Sequence, residues 1–295
     1  MHTADPHDVA RGSHARLSTW APFPIAALVA LCALAGIHAP AIYARETASW
    51  TAQGVGQDWV SLLVVVPVLV GAGGGAWRGS RRARLMLGGA LLYTAYSYAI
   101  YAFAVHFNPL FLAYCATLGL STFALLDLVE VLRADEPGRW YMPGAPLRVT
   151  AGALFALAGV FGALWLRQDL PATAQNTPPA DLAATGLLSN PVHVLDLSLL
   201  LPLLIIVGVA LRRRAWLGLV LAPIALAFAV MMALAIAGMI VMMYMRGIAT
   251  DLTPAVAMAV VAAGCVAVLV RLLGALRAPL DGSARSSAAR AGRDG

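Results

Sequence analysis

Apolar residues in this chain come in long unbroken runs, separated by short turns that carry arginine or proline. A helix that crosses a bilayer needs ~20 mostly apolar residues to cover ~30 Å of hydrocarbon. Eight stretches meet that need: Pro22–Tyr43, Val60–Trp77, Leu85–Val105, Leu110–Leu132, Val149–Leu166, Leu195–Leu211, Trp216–Tyr244 and Pro254–Leu273. The sixth is short and the seventh long, so a break in one and a tilt in the other are expected. The fold class this predicts is an all-α integral membrane protein with eight transmembrane helices.

Arginine placement sharpens the count. With a cytoplasmic N-terminus, the inner segments hold Arg11 and Arg16, then Arg78, Arg81, Arg82 and Arg84, then Arg133, Arg139 and Arg148. The Arg212–Arg214 run and Arg271, Arg277, Arg285, Arg290 and Arg293 complete the set, leaving only Arg45, Arg167 and Arg246 outside. Such a bias is what the positive-inside rule demands of correctly counted spans, and it puts both termini in the cytoplasm. Residues 1–19 and 281–295 are polar and read as disordered cytoplasmic ends, with His2, His7 and His14 incidental. Ala39-Pro40-Ala41 loosely resembles a signal-peptide cleavage site, but the apolar run is long and proline is unfavourable there, which favours a retained helix.

Composition narrows the chemistry. Of 295 residues 61% are hydrophobic and 12% charged, against roughly 25% charged in soluble domains. A single water-soluble core and a nucleic-acid reader are excluded, and the partner this composition requires is the lipid bilayer. The net charge of +6 rests on 20 arginines with no lysine. That excludes a retinal or pyridoxal Schiff base and the P-loop lysine of a nucleotide site. Cys32, Cys115 and Cys265 stand alone within apolar spans, without C-x-x-C spacing, so neither a disulfide framework nor a thiol redox centre is expected. Gly71, Gly73, Gly74 and Gly75 lie inside the second span, where small residues let helices approach.

The chain also repeats itself. Asp58, Ser61 and Pro67 open the second span much as Asp196, Ser198 and Pro202 open the sixth, and each span ends in a basic turn before another apolar run. The fourth span opens on Asn108-Pro109 and closes at Arg133, while the eighth opens on Thr253-Pro254 and closes at Arg277. These matches predict two four-helix halves, residues 20–140 and 147–277. An even number of spans per half makes the halves parallel, with a pseudo-two-fold axis along the membrane normal.

Ionisable residues near or within spans are costly, which makes each a functional candidate. Here they gather at the outer ends: His38, His106 and His193, with Asp58, Asp196, Arg45, Arg167, Asn108 and Asn190 in the same layer. The densest cluster is Asn190-Pro-Val-His193-Val-Leu-Asp196. If Pro191 starts a helix, His193 and Asp196 share a face, and the aspartate can fix the tautomer of a histidine that serves as base or metal ligand. Asn190 suits either a site role or an N-cap. Asp196 has a second possible partner in Arg45 or Arg167, as a structural bridge. Tyr93, Ser97 and Tyr101 recur every four residues and form a polar stripe, which lines a cavity or bonds neighbouring helices. Asp127 and Glu130 read as the inner end of the fourth span. The methionines of the seventh span read as interface filler or as thioether ligands for Cu(I).

The stretch Asn190-Pro-Val-His-Val-Leu-Asp-Leu197, followed by Leu201-Pro202 and a basic turn, resembles a group of uncharacterised bacterial polytopic membrane proteins over the last third of the chain. The resemblance implies a bacterial inner membrane and no activity. Three functions remain open. The first is binding or transport of a small molecule at an outward-facing site built from Arg45, Asp58, Tyr93, Tyr101, His106, Asn108, Arg167, Asn190, His193 and Asp196. The second is an outer-leaflet enzyme that uses His193 and Asp196 as base or metal ligands, with His106 a further candidate ligand, and Arg45 or Arg167 to hold an anionic headgroup or carboxylate. The third is an accessory or scaffold subunit, and an oligomer suits any of the three.

Overall fold

The structure is a computed structural model that describes residues 16–277, so the expected tail at 281–295 and most of the one at 1–19 lie outside the described residues. Among the described residues helix is the only regular structure, apart from one antiparallel bridge between Tyr141 and Leu276. The principal helices are α1 (Pro22–His38), α2 (Ala48–Trp77), α3 (Arg81–Ala104), α4 (Phe111–Ala134), α5 (Leu147–Gln175), α6 (Pro191–Arg212), α7 (Trp216–Met245) and α8 (Thr253–Gly274). Six of these (α2 and α4 to α8) are long and apolar enough to cross a membrane. α1 is apolar but has 17 residues. α3 has 24, and Arg81, Arg82, Arg84 and four tyrosines make it less apolar.

Several boundaries differ from the sequence reading, each for a local reason. α2 begins at Ala48, well before Val60, because the Thr47 hydroxyl accepts a hydrogen bond from the Trp50 amide and caps the helix. α5 runs on past Leu166 through Arg167, Asp169 and Pro171 to Gln175. α1 stops at His38 because Ala39 precedes Pro40 and takes an extended conformation, which a following proline favours. Residues 16–19, expected to be disordered, join the helical turn Leu17–Trp20, whose Ser18 amide donates to Asp127 at 2.8 Å. Asp127 is thus a cap for that turn, while Glu130 pairs with Arg133 at 3.6 Å.

α7 is the centre of the bundle: 72% of its most apolar window is buried, against 22–39% for the other five long apolar helices. It serves two cores. Val220, Ile224, Phe228 and Met231 pack with α1 to α4, and Leu219, Ala222, Ala225 and Leu226 pack with α5, α6 and α8. Backbone contact at its crossing with α2 is close enough that a β-carbon on Gly56 would lie 2.5 Å from the Gly238 carbonyl oxygen. Met231 belongs to this packing, in keeping with the filler role of the thioethers.

Two helices carry a π-helical turn, at Ser61–Val65 in α2 and Asp196–Leu200 in α6. In each, the closing bond runs five residues back, from the Val66 amide to the Ser61 carbonyl and from the Leu201 amide to the Asp196 carbonyl. A proline follows at once (Pro67, Pro202), and its missing N–H removes one α-helical bond at the place where the ladder widens. These features lie 135 positions apart, as do the starts of α3 and α7 at Arg81 and Trp216. That register sets Asp196 against Ser61 and His193 against Asp58, so the two aspartates aligned by sequence do not correspond.

At one end of the bundle arginines gather. Arg81 pairs with Asp135 at 2.9 Å and lies over the Trp140 ring, and Arg133 lies over Trp216. The opposite end carries Glu46, His106 and the Ala180–Thr185 helical turn, tied to the start of α2 by the Thr47 hydroxyl, which donates to the Thr185 carbonyl.

Candidate functional site

Asp58 sits inside α2, about three turns from its start, because that helix begins at Ala48. Its carboxylate is buried and accepts two phenol hydrogen bonds, from Tyr43 at 2.7 Å and from Tyr101 at 2.7 Å. Tyr98, Tyr101 and Tyr114 stack around it with ring centroids 5.2–6.0 Å apart. On the α1 side the wall is Gly36, where a β-carbon would run into the carboxylate. With a donor on each oxygen and close walls, Asp58 is a satisfied internal tie between α2, α3 and the turn after α1.

Asp196 stands differently. It occupies the first position of the π-turn in α6, and its oxygens accept the Tyr96 phenol of α3 at 2.8 Å and the Trp165 indole N–H of α5 at 2.8 Å. Asp196 also lines a cavity of about 80 Å³ between the helices, which reaches from Gln57 of α2 to Val261 of α8. Phe161, Trp165 and Phe228 give the cavity aromatic walls, and Met232 and Met239 line it further. Ser97 belongs to the same wall, but its hydroxyl oxygen is itself buried, close to the Tyr93 hydroxyl, and neither makes a hydrogen bond of good geometry.

One turn of α6 separates this cavity from the bundle end. Val192 and Asp196 face inward, while His193, Val194 and Leu197 line an open pocket of about 530 Å³ with Asp169, Asp181 and Asn190. His193 Nδ1 lies 3.0 Å from both oxygens of Asp169, and the imidazole stacks on Trp165 with centroids 4.3 Å apart. The expected partner of His193, Asp196, is thus replaced by Asp169. This follows from the extra length of α5, which sets Asp169 one turn above Trp165. Trp165 therefore connects the two places, stacked on the histidine of the open pocket and bonded to the aspartate of the inner cavity.

The remaining sequence candidates lie away from this cavity. Asn190 caps α6, its side-chain oxygen accepting the Val192 and His193 amides at 3.0 and 3.3 Å. Arg45 donates to the Phe107 carbonyl at 3.3 Å and Arg167 is exposed, so neither bridges to Asp196. His106 pairs with Glu46 at 3.0 Å, and a separate cleft of about 460 Å³ beside it is also bounded by Ser189 and Val194. Asn108 accepts the Leu110 amide at 2.9 Å and so holds the turn before α4. Among the described residues, no three His, Cys, Asp or Glu side chains gather so that they could hold a metal ion. Of the hydroxyl stripe, Tyr101 reaches Asp58, whereas Tyr93 and Ser97 stay unpaired.

Tyr43, Tyr96, Trp165, Asp169 and Gln57 are the site residues that sequence reasoning missed. The signal for two of them was present: Trp165 and Asp169 are four apart and share a helical face if the helix is allowed to pass Arg167. No protein-family model, no curated protein and no solved structure matches this chain.

Proposed function

We propose that the chain is an eight-span protein of a bacterial inner membrane, with both termini cytoplasmic, that binds or transports a small solute. The solute occupies the cavity beside Asp196 and exchanges through the open pocket at His193. The observation that carries this reading is a buried aspartate, bonded by Tyr96 and Trp165 from two other helices, that lines an otherwise apolar and aromatic cavity between the helices. Cavities between helices of a bundle, apolar with few convergent polar groups, are the usual form of a small-molecule site. A π-turn at the same place adds weight, because such turns cluster at functional sites.

The eight-span count adds α1 and α3 to the six long apolar helices, and the arginine bias supports it. Two parallel four-helix halves are supported by the matched π-turns and prolines, and by the contact of Gly89 with Ile224. Those two residues are 135 positions apart, as residues meeting on a two-fold axis between α3 and α7 would be.

The test is a screen of solutes for thermal stabilisation of the detergent-purified protein, followed by uptake into proteoliposomes. A solute that binds only the folded state raises the melting temperature in proportion to its saturation. Stabilisation by a solute that Asp196→Asn abolishes is the expected result. A second reading, an outer-leaflet enzyme with His193 as base, is favoured by the Asp169–His193 pair at the mouth of the open pocket. It predicts turnover of a headgroup or ester that His193→Ala abolishes without affecting solute binding.

A further inference from the structure

The cavity beside Asp196 also says what kind of solute it suits, if it is a solute site as read above. Its walls are apolar and aromatic, and Asp196 is its one acidic group; no arginine or histidine lines it. An anionic solute would meet the carboxylate with no countercharge. A neutral polar solute would find few groups to pair with beyond Gln57, and unpaired polar atoms in such surroundings are costly. A bare metal cation needs a shell of several oxygen ligands, and most of this surface is carbon.

An organic cation meets none of these objections. Aromatic rings attract an alkylated ammonium through their faces, and a carboxylate nearby supplies the countercharge without a hydration shell to strip. Tyr96 and Phe228 meet edge to face with centroids 5.6 Å apart, and Phe161 and Trp165 lie 6.0 Å apart. Tyr96 and Trp165 place one hydrogen bond on each oxygen of Asp196, and each oxygen keeps a further lone pair. The volume sets the scale: about 80 Å³ is roughly half of a cavity known to hold benzene. The solute as a whole is therefore smaller than benzene.

We propose that the solute is a small organic cation, a compact alkylated ammonium, held between Asp196 and the rings of Tyr96, Phe161, Trp165 and Phe228. Asp58 offers no such site, because its phenol partners and Gly36 close around it and the small pocket between Tyr43 and Tyr101 holds about 20 Å³.

The test uses three compact branched probes of similar size and different charge: the trimethylammonium ion, propan-2-ol and acetate. Each is titrated against the full-length protein in nanodiscs, with binding read by calorimetry and thermal shift. The trimethylammonium ion should bind saturably, the alcohol about tenfold or more weaker, and the anion not at all. Asp196→Asn should weaken the trimethylammonium ion by about tenfold or more while leaving the alcohol unchanged. Trp165→Phe, which keeps a ring but removes the N–H donated to Asp196, should weaken the cation less, and it guards against a fold lost through Asp196→Asn. Equal binding of the cation and the alcohol, each excluded by Ala233→Trp in the cavity wall, would overturn the cation and leave the solute site standing. No binding of any probe would overturn the cation as well. If no member of a wider neutral and anionic panel then binds in competition with Ala233→Trp, the solute site falls with it.

Discussion

Tyr96 donates its phenol hydrogen to Asp196 at 2.8 Å, joining α3 to α6 across 100 residues of sequence. Five positions further along α3, Tyr101 makes the same bond to Asp58 of α2. One tyrosine-bearing helix therefore serves both buried carboxylates, and it differs between them in one respect. The Asp58 end is closed around its partners, while the Asp196 end opens onto a cavity.

Removing either donor of Asp196 leaves a buried oxygen short of a partner. Tyr96→Phe and Trp165→Phe are each expected to cost about 1–2 kcal/mol of stability. Both act on one carboxylate, so their effects should not add, and a double-mutant cycle should give a coupling of about 0.5 kcal/mol or more. Strict additivity in reversible unfolding would mean that the two bonds do not share Asp196.

Gly36 faces the opposite constraint. Gly36→Ala would push a methyl into the Asp58 carboxylate and should destabilise the protein by about 1–3 kcal/mol. In an Asp58→Ala background the same change should cost clearly less, since the obstacle is gone. Gly71→Ala, where a β-carbon meets nothing within 4 Å, is the control and should cost nothing measurable. Thermal unfolding of the four variants beside the wild type checks all of these together.

Arginine placement and the length of the apolar runs already carried the helical membrane architecture. What they could not supply was the reach of helices beyond their apolar portions. Ala48–Gln57 is too polar to read as span, yet it is helical, and it sets Asp58 within α2 rather than at its outer end. Arg167 looked like the end of a span, but α5 continues and delivers Asp169 to His193. The shared face of His193 and Asp196 was legible, but the wider π-turn that begins at Asp196 and the partner brought by a third helix were not. Those depend on packing, which no single segment encodes.

The proposed orientation is open to chemical labelling. In a cysteine-free background, Ser189→Cys should react with a membrane-impermeant maleimide added outside the cell, and Gly138→Cys only after the membrane is opened. Both positions are exposed. Reaction of Gly138→Cys in intact cells would reverse the topology.

The turn before α8 gives a pH prediction. Asp251 accepts the amide and the hydroxyl of Thr253, each at 2.8 Å, and these bonds hold its carboxyl below the ordinary carboxylate value. A depressed value means that the folded form gains from the charged carboxylate above the unfolded value of 3.8 and loses that gain as pH falls through the folded value. The Thr253 amide resonance should therefore titrate with a midpoint below 3.8, and Asp251→Asn should remove that titration. A midpoint at or above the ordinary value would contradict the capping bond.

The most direct measurement is a parallel thermal-shift screen of one solute panel against the wild-type protein and Asp196→Asn. The account predicts at least one solute that raises the melting temperature of the wild type saturably and leaves the variant unmoved. If every stabilising solute acts on both proteins alike, the cavity beside Asp196 is not the binding site.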